Sequence, residues 1–191
     1  LAQKKIDPKG YEFEHILRDI ETLNQAAKTG TYEISAVSIH AYAYLADQYA
    51  LLDSGASMGE QYGPMVISCE PTSIEQLRGK KIAIPGKLTS AYLALQMVLD
   101  DFEPVIVPFD QIIKSVAERV VSAGLIIHEG QLQYQDQGFH LVLDLGQWWH
   151  QKTNGLPLPL GGNAGRRNLG SAVMKDLAQL QKASIAYGLN H

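Results

Sequence analysis

Short apolar runs alternate with stretches of helical period along nearly the whole chain. At 11–17 (YEFEHIL), Tyr11, Phe13 and His15 alternate with Glu12, Glu14 and Ile16, a period of two that predicts a strand. Residues 20–29 read as a helix, with Asp19 placed as its N-cap and Gly30 as its stop. A second strand is predicted at 32–38 (YEISAVS), running directly into a helix at 39–49. Glycines 55, 59 and 63, then Pro64, mark a crossing. Beyond it the pattern predicts strands at 65–68, 81–85, 105–107, 124–127 and 141–145. Helical segments fall between them at 74–78, 89–99, 112–122 and 147–153. Residues 156–160, with two prolines, read as a crossing strand at a sheet edge, and 169–188 as a last amphipathic helix.

Strands alternating with helices predict an α/β protein with mixed, mainly parallel sheets. The two Gly/Pro-rich crossings bracket a central segment, so two lobes are expected: 1–69 and 153–191 forming one, 70–152 the other. On these boundaries Val66 belongs to a different sheet from Ile84 and Ile126.

Composition narrows the function classes. Apolar residues make up 46% and charged residues 19% of 191, which excludes a disordered chain. Net charge is −4 and the basic doublets Lys80-Lys81 and Arg166-Arg167 are isolated, so nucleic acid is not an expected partner. No apolar run reaches the roughly 18–20 residues of a membrane span, so no membrane is expected either. The single Cys69 excludes an intrachain disulfide and a Cys-rich zinc site. The chain opens on Leu1 rather than Met, as a fragment or processed product would.

In open α/β sheets ligands bind beyond the carboxyl ends of strands, which singles out three places. Ser38 ends a strand and precedes a helix; its hydroxyl either caps that helix or faces a ligand anion. Residues 85–91 (PGKLTSA) turn from a strand into a helix opened by Thr89, Ser90 and Ala91. Free N–H groups and the helix dipole there suit either simple capping or a carboxylate. This turn lacks the earlier glycine of a P-loop. Third, an apolar strand leads straight into His128-Glu129, where a histidine can be structural or a base working near neutral pH. Glu129 would orient it or face solvent. No histidine pair has metal-ligand spacing, so no metal is expected. Trp148-Trp149 reads as packing, and the glycines of 161–165 as close backbone approach at a crossing, with Asn163 or an arginine within reach of a ligand.

Several stretches together carry a resemblance: DIETLN at 19–24, HAYAY at 40–44, GLIIHEG at 124–130, DLGQWW at 144–149 and GLPLPLGG at 155–162. In this order they resemble the 1,4-dihydroxy-6-naphthoate synthases of the futalosine route to menaquinone. The related chorismate dehydratases share the fold, but GLIIHEG followed by DLGQWW fits the synthases better. The resemblance implies a two-lobed fold like that of type II periplasmic binding proteins, used in the cytoplasm as a carbon–carbon lyase. Its substrate would be cyclic dehypoxanthine futalosine, a small-molecule carboxylate. It implies His128 as the base and Ser38, Thr89, Ser90 and Ala91 as pocket residues, with no cofactor. It also implies chain on both sides of this sequence: a strand with a Ser-Pro…Asp motif before it, and helices beyond His191. Ser38 and Thr89-Ser90 are then expected to face each other across the cleft and hold the substrate carboxylate. A non-catalytic small-anion solute-binding protein of the same fold is the alternative from another class.

Overall fold

A computed structural model of the chain describes residues 1, 5–127, 131 and 134–191. In chain order the helices are α1 (Ile20–Lys28), α2 (Ile39–Leu45), α3 (Ser90–Val98), α4 (Ile112–Ala117), α5 (Leu145–Lys152) and α6 (Ser171–Asn190). The strands are β1 (Ile34–Ser38), β2 (Tyr49–Leu51), β3 (Ser57–Gly59), β4 (Met65–Ser68), β5 (Lys81–Ile84), β6 (Glu103–Ile106), β7 (Ala123–Ile126), β8 (His140–Asp144) and β9 (Leu158–Arg166). Two compact units result, residues 1–57 with 161–191, and residues 58–160. The chain therefore leaves the first unit earlier, and returns later, than the boundaries at 69/70 and 152/153.

In the first unit β1, β9 and β2 lie side by side in that order, both pairings antiparallel. α1 starts as the sequence predicts: the Asp19 carboxylate accepts from the Thr22 N–H, and Gly30 follows the helix at φ 65°. α2 is shorter than expected. Tyr49 leaves it for β2, where its ring is buried and its hydroxyl donates to the Tyr32 carbonyl at 2.7 Å. Residues 11–17 are not a strand. Tyr11 and Phe13 are half-buried and Glu12 and Glu14 exposed, so the alternation is real, but no described strand pairs with it. β9 runs on through the glycines instead of stopping at 160, and its later part lies between two strands instead of at an edge. Small residues are required there: a Cβ on Gly165 would lie 2.6 Å from the Met174 sulfur.

The second unit holds one five-stranded sheet, β6-β5-β7-β4-β8. Val66, Ile84 and Ile126 thus share a sheet, and Met65–Ser68 belongs to this unit, not to the first. The sheet is mixed, as expected, yet the expectation of mainly parallel pairing fails among the described strands. Only β5–β6 and β5–β7 are parallel; β4 runs against both β7 and β8. The reason is that β4 enters straight from the crossing, without a preceding helix to reverse the chain. Period-two alternation divides the core. Val66, Ile82, Ile84 and Leu125 pack on one face with Leu95 and Leu145, and Ile67, Ala83 and Ile126 on the other with Ile112 and Val116. Gly124 lets α4 settle onto β7, since a Cβ there would meet Ile112 at 2.6 Å and Val116 at 2.8 Å.

α4 ends five residues before the predicted 122. The Val120 N–H reaches the Ser115 carbonyl and the Arg119 N–H the Val116 carbonyl, which is the usual helix-ending pair. Arg119 occupies the left-handed position at φ 57°, where glycine is preferred. That conformation costs a non-glycine residue about 1–2 kcal/mol. The exposed Arg119–Glu70 ion pair, at 2.7 Å, is worth roughly 0–1 kcal/mol and does not offset it.

α5 begins at a knot. The Asp144 carboxylate, 3% exposed, accepts from the N–H groups of Gly146 (2.8 Å) and Gln147 (3.1 Å) and also from that of Gly63. The Leu145 N–H donates to the Pro64 carbonyl. Gly146 is so close to the crossing that a Cβ would sit 2.0 Å from the Tyr62 carbonyl. Burial pushes the Asp144 carboxyl above the usual carboxylate range, against the pull of the three N–H groups.

Two predictions follow from this knot. Gly146→Ala should destabilise by about 3 kcal/mol, because overpacking against backbone exceeds the roughly 1 kcal/mol that helix propensity returns. Gly188→Ala, in α6 with open space around it, should instead be neutral or stabilising by up to ~1 kcal/mol; equal urea midpoints for the two would refute the crowding. Because folding raises the Asp144 pKa, its carboxyl favours the folded state only while protonated. That contribution is present below the unfolded-chain value and is lost as pH rises through the raised one. Melts from acidic to neutral pH should show the wild type losing stability relative to Asp144→Asn across that window, where parallel curves would contradict the shift.

Candidate functional site

Strand directions decide which side chains meet. β5 and β7 are parallel, and β8 runs with β7 because both oppose β4. The carboxyl ends of β5, β7 and β8 therefore emerge at one edge of the second unit. α3 follows β5 there and α5 follows β8. His128 comes two residues after β7; it lies outside the described residues, as do Glu129 and Gly130.

The start of α3 is built as a capped terminus. Thr89 is extended, at φ −72° and ψ 145°; its hydroxyl accepts from the Tyr92 N–H at 3.1 Å and donates to the Gly86 carbonyl at 2.8 Å. The helical ladder begins with the Leu93 N–H donating to the Thr89 carbonyl. The N–H groups of Ser90 and Ala91 precede that ladder, at the positive end of the helix dipole. Thr89, Ser90 and Ala91 are all buried. The Ser90 hydroxyl donates to the Leu160 carbonyl at 2.6 Å, so its proton is committed to β9.

Ser38 lies in the first unit and is 2% exposed. It occupies the N-cap position of α2, but its hydroxyl does not cap that helix. Instead Asn24 grips it from α1: the Asn24 amide N–H donates to the Ser38 hydroxyl at 3.0 Å, and the Ser38 N–H donates to the Asn24 carbonyl oxygen at 2.9 Å. Asn24 positions Ser38 and escaped the sequence reading. The signal was present: Ile20, Leu23, Asn24 and Ala27 have the spacing of a buried stripe, and an asparagine in such a stripe needs partners.

At the sheet edge Gln131 is a second residue that sequence reasoning passed over. Its side-chain N–H donates to the Gly63 carbonyl at 2.7 Å, beside the Asp144 knot. Trp149 packs on the core, and its indole N–H donates to the Pro157 carbonyl, as the packing reading expects. Asn163 donates to the Gly55 carbonyl. Among the described residues no helix is long and apolar enough to cross a membrane.

Comparison with known proteins adds the family. The sequence matches the menaquinone biosynthesis family over residues 3–191. A Thermus thermophilus protein named 1,4-dihydroxy-6-naphtoate synthase is 42% identical over 178 residues, covering 93% of this chain and 64% of that protein. A crystal structure of an Archaeoglobus fulgidus protein superposes with a TM-score of 0.87 at 48% identity, covering 93% of this chain and 66% of the other. The alkanesulfonate-binding protein SsuA of Xanthomonas axonopodis pv. citri, bound to MOPS, matches with a TM-score of 0.61 at 18% identity, over 82% of this chain and 55% of its own. That last likeness concerns the fold alone, which is periplasmic-binding-protein-like. This chain spans less than two thirds of the length of the Thermus relative. With its sequence matched almost from end to end, the chain belongs to the menaquinone biosynthesis family.

Proposed function

We propose that the protein is a carbon–carbon lyase that converts cyclic dehypoxanthine futalosine to 1,4-dihydroxy-6-naphthoate. The observation that carries this reading is the 42% identity, over 93% of this chain, to a relative named for that synthase activity. In the proposed reaction neutral His128 takes a proton from a carbon activated by a neighbouring carbonyl-type centre. The electron pair left behind drives cleavage of the carbon skeleton, a three-carbon sugar-derived piece departs, and the ring system becomes aromatic. One base of near-neutral pKa suffices for this proton transfer.

The substrate carboxylate is assigned to the start of α3, where the N–H groups of Ser90 and Ala91 and the helix dipole favour an anion. Thr89 holds that turn in shape. Ser38, fixed by Asn24, is proposed as a further substrate contact. The cytoplasm is the proposed compartment.

The direct test supplies the full-length protein with cyclic dehypoxanthine futalosine, and separately with chorismate, and follows product by mass spectrometry. Release of dihydroxynaphthoate supports the reading; conversion of chorismate alone would reassign it to the dehydratases, and binding without turnover to the solute-binding class. His128→Asn should leave the Tm unchanged and lower kcat by about 10²–10⁴, and the wild-type rate should decline as pH falls and the ring becomes protonated. A loss confined to KM would reduce His128 to a binding residue.

Ser90 allows a separate test of the carboxylate site. Ser90→Ala removes the bond to Leu160 but keeps the N–H, and KM should change less than about threefold. Ser90→Pro deletes the N–H at the first helical position, where proline fits and where extended Thr89 tolerates it. KM should then rise at least ~tenfold, since a hydrogen bond to a charged group is worth about 1.5–3 kcal/mol. Equal KM values for the two variants would remove the α3 N–H groups from substrate binding.

A further inference from the structure

The opposite edge of the second unit's sheet has features that the proposed reaction leaves unused. β5 and β7 begin there, and β4, running the other way, ends there. Beside them lies a cavity of about 310 Å³, at the lower end of the ~300–1,000 Å³ range of small-molecule sites. Lys80 precedes β5, Ser122 precedes β7, Cys69 and Glu70 follow β4, and Arg119 closes α4; all five line the cavity.

We propose that this cavity binds a small ligand through an oxyanion group, phosphate or carboxylate, held by Lys80 and Arg119. Three observations carry the proposal, none of which depends on the lyase reading. Among the described residues the Lys80 ammonium takes part in no ion pair, so its charge is available to the cavity it lines. Glu70 engages Arg119 through one nitrogen, Nη2, of a guanidinium that carries five N–H donors. With Glu70 answering Arg119, the cavity keeps one positive charge in excess. Finally, Arg119 stands in a left-handed backbone position whose strain its exposed ion pair does not offset. A strained residue beside a cavity points to a role for its side chain beyond stability. A planar guanidinium matches phosphate and carboxylate by paired hydrogen bonds, and the Ser122 hydroxyl supplies a further donor.

Cys69, the single cysteine of this sequence, is half-buried in the same wall and reports occupancy. Its alkylation by iodoacetamide, read at the Cys69 peptide by mass spectrometry, is measured with phosphate, with citrate and with chloride at matched ionic strength. Saturable slowing by at least fivefold is expected with phosphate, citrate or both. Slowing by phosphate alone assigns a phosphorylated ligand, and slowing by citrate alone a carboxylate. Lys80→Gln and Arg119→Gly should each raise the half-saturating anion concentration at least tenfold. Arg119→Gly places the preferred residue at φ 57°, so its Tm should hold or rise while binding is lost. Absence of saturable slowing with either anion, or unchanged half-saturation in Arg119→Gly, overturns the proposal. So does a fall in the Tm of Arg119→Gly, which would make the Glu70 pair a sufficient reason for the arginine.

Discussion

The second unit depends on one buried carboxylate. Asp144 ends β8, opens α5 and ties down the crossing segment at Gly63, so a single side chain joins a strand, a helix and the incoming chain. Burying this carboxyl is costly, and the backbone N–H groups that answer its oxygens offset only part of the cost, since burial still lifts its pKa. The two glycines of the knot follow from this. With three segments drawn to one carboxylate, there is no volume left for a Cβ at Gly63 or Gly146. The edge to which α3 contributes its N-terminus is therefore framed by backbone, a stiffer support than packed side chains.

Antiparallel insertion of β4 gives the sheet two unlike ends. At one, strands deliver the chain into α3 and α5, whose N-termini concentrate N–H groups. At the other, the chain arrives through turns and α4 ends, and the charges are side chains on short segments. The first end suits a ligand that must be held in a fixed orientation; the second suits one held mainly by charge. Both follow from strand direction and need no special loop.

Much of this was legible in the sequence because local signals agreed. Asp19 and Gly30 bounded α1 correctly, and Thr89 marked the start of α3. The strand-then-helix rhythm gave the α/β class. What could not be read locally was partnership. Residues 11–17 have strand alternation without a strand beside them. The 161–166 stretch has no strand-forming side chains, yet it pairs because β1 and β2 flank it. Parallel pairing was overestimated since direction depends on where a crossing delivers the chain. In the candidate site, the sequence marked Ser38, Thr89 and Ser90 by position, but not the bonds that occupy their hydroxyls, which come from Asn24, Gly86 and Leu160.

The long middle insertion also sets a timetable. Among the described strands β1 and β2 are joined through β9, and the Arg166 side chain that reaches the Gly30 carbonyl is 136 residues further along the chain. At roughly 5–20 residues per second, a ribosome needs on the order of ten seconds to cover that gap. All five strands of the second unit's sheet emerge within this interval, while the edges of β1 and β2 wait unpaired. A nascent chain halted just after Leu160 would thus present a finished half and an open one, and the open half is where chaperones would have to stand guard.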